Sequence, residues 1–218
     1  MEPPAWDAAA ASWTDHVRSG PDARWEAHLR VLGQIVPPPN GLSIDAGCGE
    51  GRFTRELRAH GHQTIGFDAA AGLIDAARTA DPTGRYEVAD VRSMPVRDSS
   101  AGLVTCVNVL EHIADLDAVL AEFARVLAKG GVLVAAVVHP VAEAGAYDAE
   151  QDAISVSRYF AEDARPVSVG DVEVVHHHRT LESYVRALGA AGFTLDDLRE
   201  VPGRSGSVPL YLDLRAHR

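Results

Sequence analysis

Residues 42–51 read LSIDAGCGEG: an apolar run closes on the acid Asp45, and glycines follow at alternate positions, Gly47, Gly49 and Gly51. Such a run predicts a buried parallel strand. A glycine turn after it lets a ligand approach backbone where any Cβ would obstruct it. The dinucleotide-binding fingerprint needs its third glycine one position later, where Arg52 stands, so the residue that would pack helix against strand is missing. The stretch predicts a ligand loop of another kind.

Outward from this loop the chain alternates. Phe53 and Leu57 recur at helical spacing before Gly61, residues 63–67 make a second strand closing on Asp68, and Leu73, Ile74 and Ala77 share one helical face. Residues 85–89 give a third strand reaching Asp90, and residues 103–107 a fourth reaching Asn108. Asp115 is placed to cap a helix with the stripe Leu116, Val119, Leu120, Phe123 and Leu127, which Lys129 and Gly130 should close. Residues 132–138 are a fifth, almost wholly apolar strand, as in a sheet covered on both faces. Residues 140–179 turn acidic and irregular and read as loops and short strands outside the core. Thr180 should cap a helix carrying Leu181, Tyr184, Val185 and Leu188, and residues 193–201 and 208–214 supply two last strands. The pattern predicts an α/β, doubly wound, seven-stranded, mostly parallel sheet. The whole, 1–218, reads as one domain: a helical cap over 1–40, a core over 41–139, a substrate-side insertion over 140–179, and a C-terminal helix and strands over 180–218.

A net charge of −11 opposes binding to a polyanion, so a small-molecule partner is expected and no nucleic acid. No run is long enough to span a bilayer, and the start Met1-Glu2-Pro3-Pro4 lacks a basic region followed by an apolar core, so no membrane partner and a cytoplasmic setting are expected. The two cysteines, Cys48 and Cys106, have no metal-ligand spacing and read as reduced thiols. The oligomeric state reads as monomer or homodimer.

Ligands of doubly wound sheets sit at the carboxyl ends of the strands, which singles out Asp45, Asp68, Asp90, Asn108 and His139. Three acids in register suit a nucleoside with several donors: one can accept ribose hydroxyl protons and another an exocyclic adenine amine. They would repel phosphate and attract a cation. With these residues in place, the segments IDAGCGEG, IGFDAA, YEVADVRSMPV, LVTCVNVLEHI and RVLAKGGVL resemble, in that order, the class I S-adenosylmethionine-dependent methyltransferases. The resemblance implies a Rossmann-like sheet of order 3-2-1-4-5-7-6 and S-adenosyl-L-methionine as cofactor. It places Gly47 and Gly49 at the methionine portion, Asp68 at the ribose, Leu73 against the nucleoside, Asp90 and the Val91 amide at adenine, and the Asn108 backbone at the amino-acid end, with Asp45, Ala46 and Ala69 as further cofactor contacts. VVHP and HHRTLESYVRALGAAGF further resemble a group of bacterial small-molecule methyltransferases with tailoring activity. The expected reaction is methyl transfer to O, N or C of a small acceptor. Alternatives are a cyclase-like enzyme using the same cofactor, an RNA or protein methyltransferase, and a regulatory subunit without turnover.

For an acceptor that must lose a proton, His139 is the first candidate base and His112 the second. His139 could equally hold the loop turned by Pro140, and His112 could serve in capping or packing. Glu111-His112 with a later histidine is similar to metal-dependent RNA 2′-O-methyltransferases, but Asn108 stands where those carry a further Glu, so no metal is expected. His176 and His178 share one face of an extended segment and line a substrate pocket or join a hydrogen-bond network. Trp6, Trp13 and Trp25, on two helices split at Gly20-Pro21, either cap the site or dock on the sheet. Trp13 and Tyr147 are the aromatic candidates for enclosing the acceptor.

Overall fold

The computed structural model describes residues 3–19, 23–148, 150–151, 153–169, 172–203 and 206–218. The expected break at Gly20-Pro21 lies outside them. Two helices, α1 (Pro3–Arg18) and α2 (Ala23–Ile35), precede β1 (Leu42–Ala46), α3 (Arg52–Ala59), β2 (Gln63–Asp68), α4 (Ala71–Ala80) and β3 (Arg85–Val88). Then come β4 (Ala101–Val107), a 3-10 turn at Leu110–His112, α5 (Leu116–Val126), β5 (Leu127–Val138) and the short α6 (Pro140–Glu143). Two hairpins follow, β6 (Gly145–Asp148) with β7 (Ala153–Val156) and β8 (Ala164–Val169) with β9 (Val172–His177). The chain continues through α7 (Leu181–Ala190), β10 (Thr194–Pro202) and β11 (Pro209–His217).

Seven strands form one sheet in the order β10-β11-β5-β4-β1-β2-β3. The first five strands in the chain run parallel, and β11 lies antiparallel between β5 and β10. Counted within the sheet alone, this is the expected 3-2-1-4-5-7-6. Strand order reverses between β1 and β4, where such sheets open a crevice at their carboxyl ends.

Period-two alternation splits the core between the two faces of the sheet. Val104 and Cys106 of β4, with Leu133, Ala135 and Val137 of β5, pack with Leu120 and Phe123 of α5 and Leu188 of α7. The intervening Leu103, Val132, Val134 and Ala136 pack with Leu32 and Ile35 of α2 and Phe53 and Leu57 of α3. Each fully buried Leu or Phe here contributes about 1.5–3 kcal/mol. Asp115 Oδ1 accepts from Ala118 N at 3.0 Å, and Thr180 Oγ1 from Ser183 N at 3.2 Å, so both expected caps form.

Two expectations are corrected. α5 ends at Val126 rather than at Lys129-Gly130, because Leu127 turns extended and pairs with Ala101 of β4. The insertion also contributes to the core: Val174 of β9 is buried with Trp6, Ala9 and Ala10 of α1 and with Ala70 and Leu73. Alternation along β9 explains this, since Val174 and His176 face inward while Glu173 and Val175 are exposed. Thus α1 and the β8–β9 hairpin meet beside the carboxyl ends of the strands. Among the described residues no helix is long and apolar enough to cross a membrane.

Candidate active site

The glycine loop is fixed from β2. Gly47 N and Cys48 N both donate to Phe67 O, at 2.7 and 2.9 Å, and Gly51 N donates to Cys48 O. Gly47 has φ +74°, and a Cβ there would lie 2.4 Å from Val109 Cγ2, so neither backbone nor space admits another residue. Gly49 has φ +55°, but a Cβ there would meet nothing nearer than Trp13 Nε1 at 3.9 Å. Its bare face borders open space, the cradle that a ligand lying on the loop requires.

Asp68, at the end of β2, clamps this loop to the start of α4. Its Oδ2 accepts from Gly49 N and its Oδ1 from Ala70 N, each at 2.9 Å. Burial raises its pKa, against the backbone donors of Ala70, Gly49 and Ala69 that lower it. Asp45, at the end of β1, is held by the hydroxyls of Thr54, at 2.6 Å, and Thr105, at 2.9 Å. Burial pushes its carboxyl up to about 6 despite those donors.

Beyond β4 the chain supplies a second group of side chains. Asn108 takes φ +55°, and its buried Oδ1 has no hydrogen-bond partner. Glu111 is 2% exposed; its Oε1 accepts from Val138 N at 3.3 Å and its Oε2 has no partner. Burial raises its pKa to about 7, with the His176 charge acting in the opposite direction. The His112 ring meets Trp6 and His176 edge to face, at centroid distances of 4.9 and 4.4 Å. Burial, with His176 beside it, lowers its pKa to about 3, so the ring is neutral at physiological pH. His176 Nδ1 lies 3.1 Å from both Glu143 oxygens. Burial alone would lower the His176 pKa, but the bond and charge of Glu143, together with Glu111, raise it above its usual value.

Asp45, Asp68, Asn108, Glu111, His112 and His176 line one cavity of about 770 Å³, with Glu143 behind His176. Its wall runs from Gly47, Gly49, Asp45, Asp68 and Leu73 through Asn108 and Glu111 to Trp6, Trp13, His112, Val167 and His176, with Trp25, Arg52 and Tyr211 on the flank. Residues 44–135 match the methyltransferase domain family. The crystal structure of an S-adenosylmethionine dependent methyltransferase from Mesorhizobium loti superimposes with a TM-score of 0.77 at 25% identity, over 88% of this chain and 98% of that one. The fold is that of the class I S-adenosylmethionine-dependent methyltransferases. Over 104 residues the chain is 35% identical to a malonyl-[acyl-carrier protein] O-methyltransferase of Serratia marcescens, covering 48% of this chain and 41% of that protein. It is 28% identical over 115 residues to a trans-aconitate 2-methyltransferase of Variovorax paradoxus, covering 51% and 44%. The chain thus matches less than half the length of these curated relatives.

The methyltransferase fold brings Asp45, Gly47, Gly49, Asp68, Leu73, Asn108, His112, Trp13 and His176 to one wall. Other expected site residues lie off it. Ala46 and Val91 are buried in the sheet core, Ala69 lies in the turn between β2 and α4, and Asp90 is held by the Arg92 side chain and backbone N–H. His139 does not reach the cavity: Pro140 starts α6, His139 Nδ1 caps it by accepting from Val141 N, and Nε2 lies 3.1 Å from Glu200. His178 is buried with Nε2 at 2.8 Å from Tyr159 O, and Tyr147 is 56% exposed on β6. Glu111 and Glu143 add to the residues that the sequence pattern points to. The Glu-His pair in the sequence was a signal for Glu111, whereas Glu143 sits in a segment with no motif.

Proposed function

We propose that this methyltransferase transfers the methyl group of S-adenosylmethionine to an oxygen, nitrogen or carbon atom of a small molecule, as a bacterial tailoring enzyme of specialised metabolism. The observation that supports this most is the continuity of the cavity, from the bare Gly49 backbone and the Asp68 carboxylate into a chamber of tryptophan and histidine rings. Its volume lies within the usual range for small-ligand pockets, roughly 300–1,000 Å³. The residues present fit the cofactor. Each Asp68 oxygen takes one backbone N–H and keeps acceptor capacity for a ribose hydroxyl, while the unpartnered Asn108 Oδ1 can take a donor. Leu73 offers an apolar surface to the nucleoside.

S-Adenosylmethionine supplies a methyl carbon already activated by its sulfonium. The chain's residues then have two tasks: to hold the acceptor in line with that carbon, and to exclude water. Trp6 and Trp13, 5.8 Å apart and edge to face, form rigid walls for the second task. In this reading Asp90 reads adenine only after its exposed ion pair with Arg92 opens, a pair worth little in water. The free Cys48 and Cys106 thiols agree with a cytoplasmic setting.

Methyl-labelled S-adenosylmethionine, offered with matched hydroxyl, amine and carboxylate compounds, tests the reading. Label should appear in one acceptor class in step with the demethylated cofactor. Demethylated cofactor without a labelled acceptor, or a rearranged acceptor without label, would overturn it.

A further inference from the structure

The Glu143–His176 pair belongs to no cofactor contact. His176 stands on β9 in the inward register, while Glu143 closes α6 immediately after the sheet. With Nδ1 between the two Glu143 oxygens, that nitrogen carries the proton and Nε2 is left with its lone pair. Nothing among the described residues hydrogen-bonds Nε2, and the ring lines the cavity beside Glu111 and His112. A carboxylate that orients a histidine so that its far nitrogen faces a cavity is an arrangement for taking a proton.

We propose, on the reading of methyl transfer above, that His176 Nε2 is the base that deprotonates the acceptor, that Glu143 is its positioning residue, and that the acceptor carries an O–H or N–H rather than a carboxylate. In the step, the acceptor proton passes to Nε2 as the new bond to the methyl carbon forms and the carbon–sulfur bond breaks. The electron pair of the broken bond stays on sulfur. The imidazolium, flanked by Glu143 and Glu111, later loses its proton to water.

The acceptor class follows from the charges around this end of the cavity. The titratable and charged groups packed about His176 are Glu143 of α6, Glu111 and His112 of the 3-10 turn, and Arg165, its register partner on β8. Arg165 gives Nε to Asp163 and Nη1 to the Glu143 carbonyl oxygen, its buried Nη2 has no partner, and it does not line the cavity. The arginine on the wall, Arg52, sits on the flank with its guanidinium 4.5 Å from the Trp25 ring centre. A carboxylate acceptor at Nε2 would therefore meet the Glu111 carboxyl on the wall and the Glu143 charge behind His176, whereas a hydroxyl or amine proton finds a base.

Nitrogen-15 NMR of the protein saturated with S-adenosylhomocysteine tests the base directly. At pH 8 His176 should carry its proton on Nδ1. Its titration midpoint should lie above 6.5, its usual value, and fall in Glu143→Gln. A neutral ring protonated on Nε2, or a midpoint indifferent to Glu143→Gln, would overturn the proposal. With the acceptor identified by label transfer, His176→Gln should lower kcat by about 100-fold or more. KM and S-adenosylhomocysteine affinity should stay within about twofold. The rising limb of the pH–rate profile should disappear in that variant and move to lower pH in Glu143→Gln. Undiminished kcat in His176→Gln, or transfer to carboxylates alone, would refute it. Failure of the wild-type protein to bind S-adenosylhomocysteine would instead strike at the methyltransferase reading beneath it.

Discussion

Gly47 and Gly49 sit two residues apart in the same left-handed backbone region, yet substitution should fail at each for a different reason. An alanine methyl at Gly47 would run into Val109, while one at Gly49 would project into the cavity. Gly47→Ala should therefore show the larger drop in melting temperature, and Gly49→Ala the larger loss of cofactor affinity relative to its loss of stability. The reverse ranking in paired calorimetric measurements would contradict this placement. Glu111 carries a second prediction. Its carboxyl titrates near 4.5 when unperturbed and about 7 when folded, so between those values the folded chain binds the extra proton. Stability from this group is intact below the lower value and declines as pH rises through the window. Glu111→Gln should therefore stabilise the protein at pH 8 relative to its effect at pH 4, by up to about 3 kcal/mol. A pH-independent difference in chemical denaturation would refute it. At this scale the sequence showed the strand-end acids but not their local partners. Asp45 and Asp68 reach the cavity; Asp90 is captured by Arg92 two residues on, and His139 by the helix that Pro140 begins.

The elements around the strand ends come from two distant stretches of chain, α1 and the β8–β9 hairpin. Their meeting could not be read from periodicity, because each buries a short face against the other, α4 and the 3-10 turn. The central β-α-β units were legible, since long apolar runs and caps such as Asp115 specify them locally. Replacing that cap, Asp115→Ala, should cost about 1 kcal/mol in urea unfolding. A loss below about 0.2 kcal/mol would show that the α5 terminus does not depend on it. Trp13 gives the cap an optical signature, because its indole nitrogen borders the bare face of Gly49. S-Adenosylhomocysteine should change tryptophan emission in the wild-type protein and much less in Trp13→Phe. An undiminished change in that variant would place the ligand away from α1.

Across the molecule, the sheet order puts the β1 loop, Asp68 and Asn108 at a single reversal point, and the cap and insertion convert that crevice into a chamber. The chamber wall carries the acids Asp45, Asp68 and Glu111, in keeping with a negatively charged chain and a sulfonium ligand. Sheet order and loop follow from pattern alone. The enclosing surface does not, because it depends on contacts between segments far apart in sequence. Calorimetric titration with S-adenosylhomocysteine, run in parallel on the wild-type protein and Asp68→Ala, is the most direct measurement. One site per chain should appear, weakened in the variant by about 1.5–3 kcal/mol, the worth of hydrogen bonds to a charged group. Equal affinity in the two proteins, or no binding by either, would contradict a cofactor site at the strand ends.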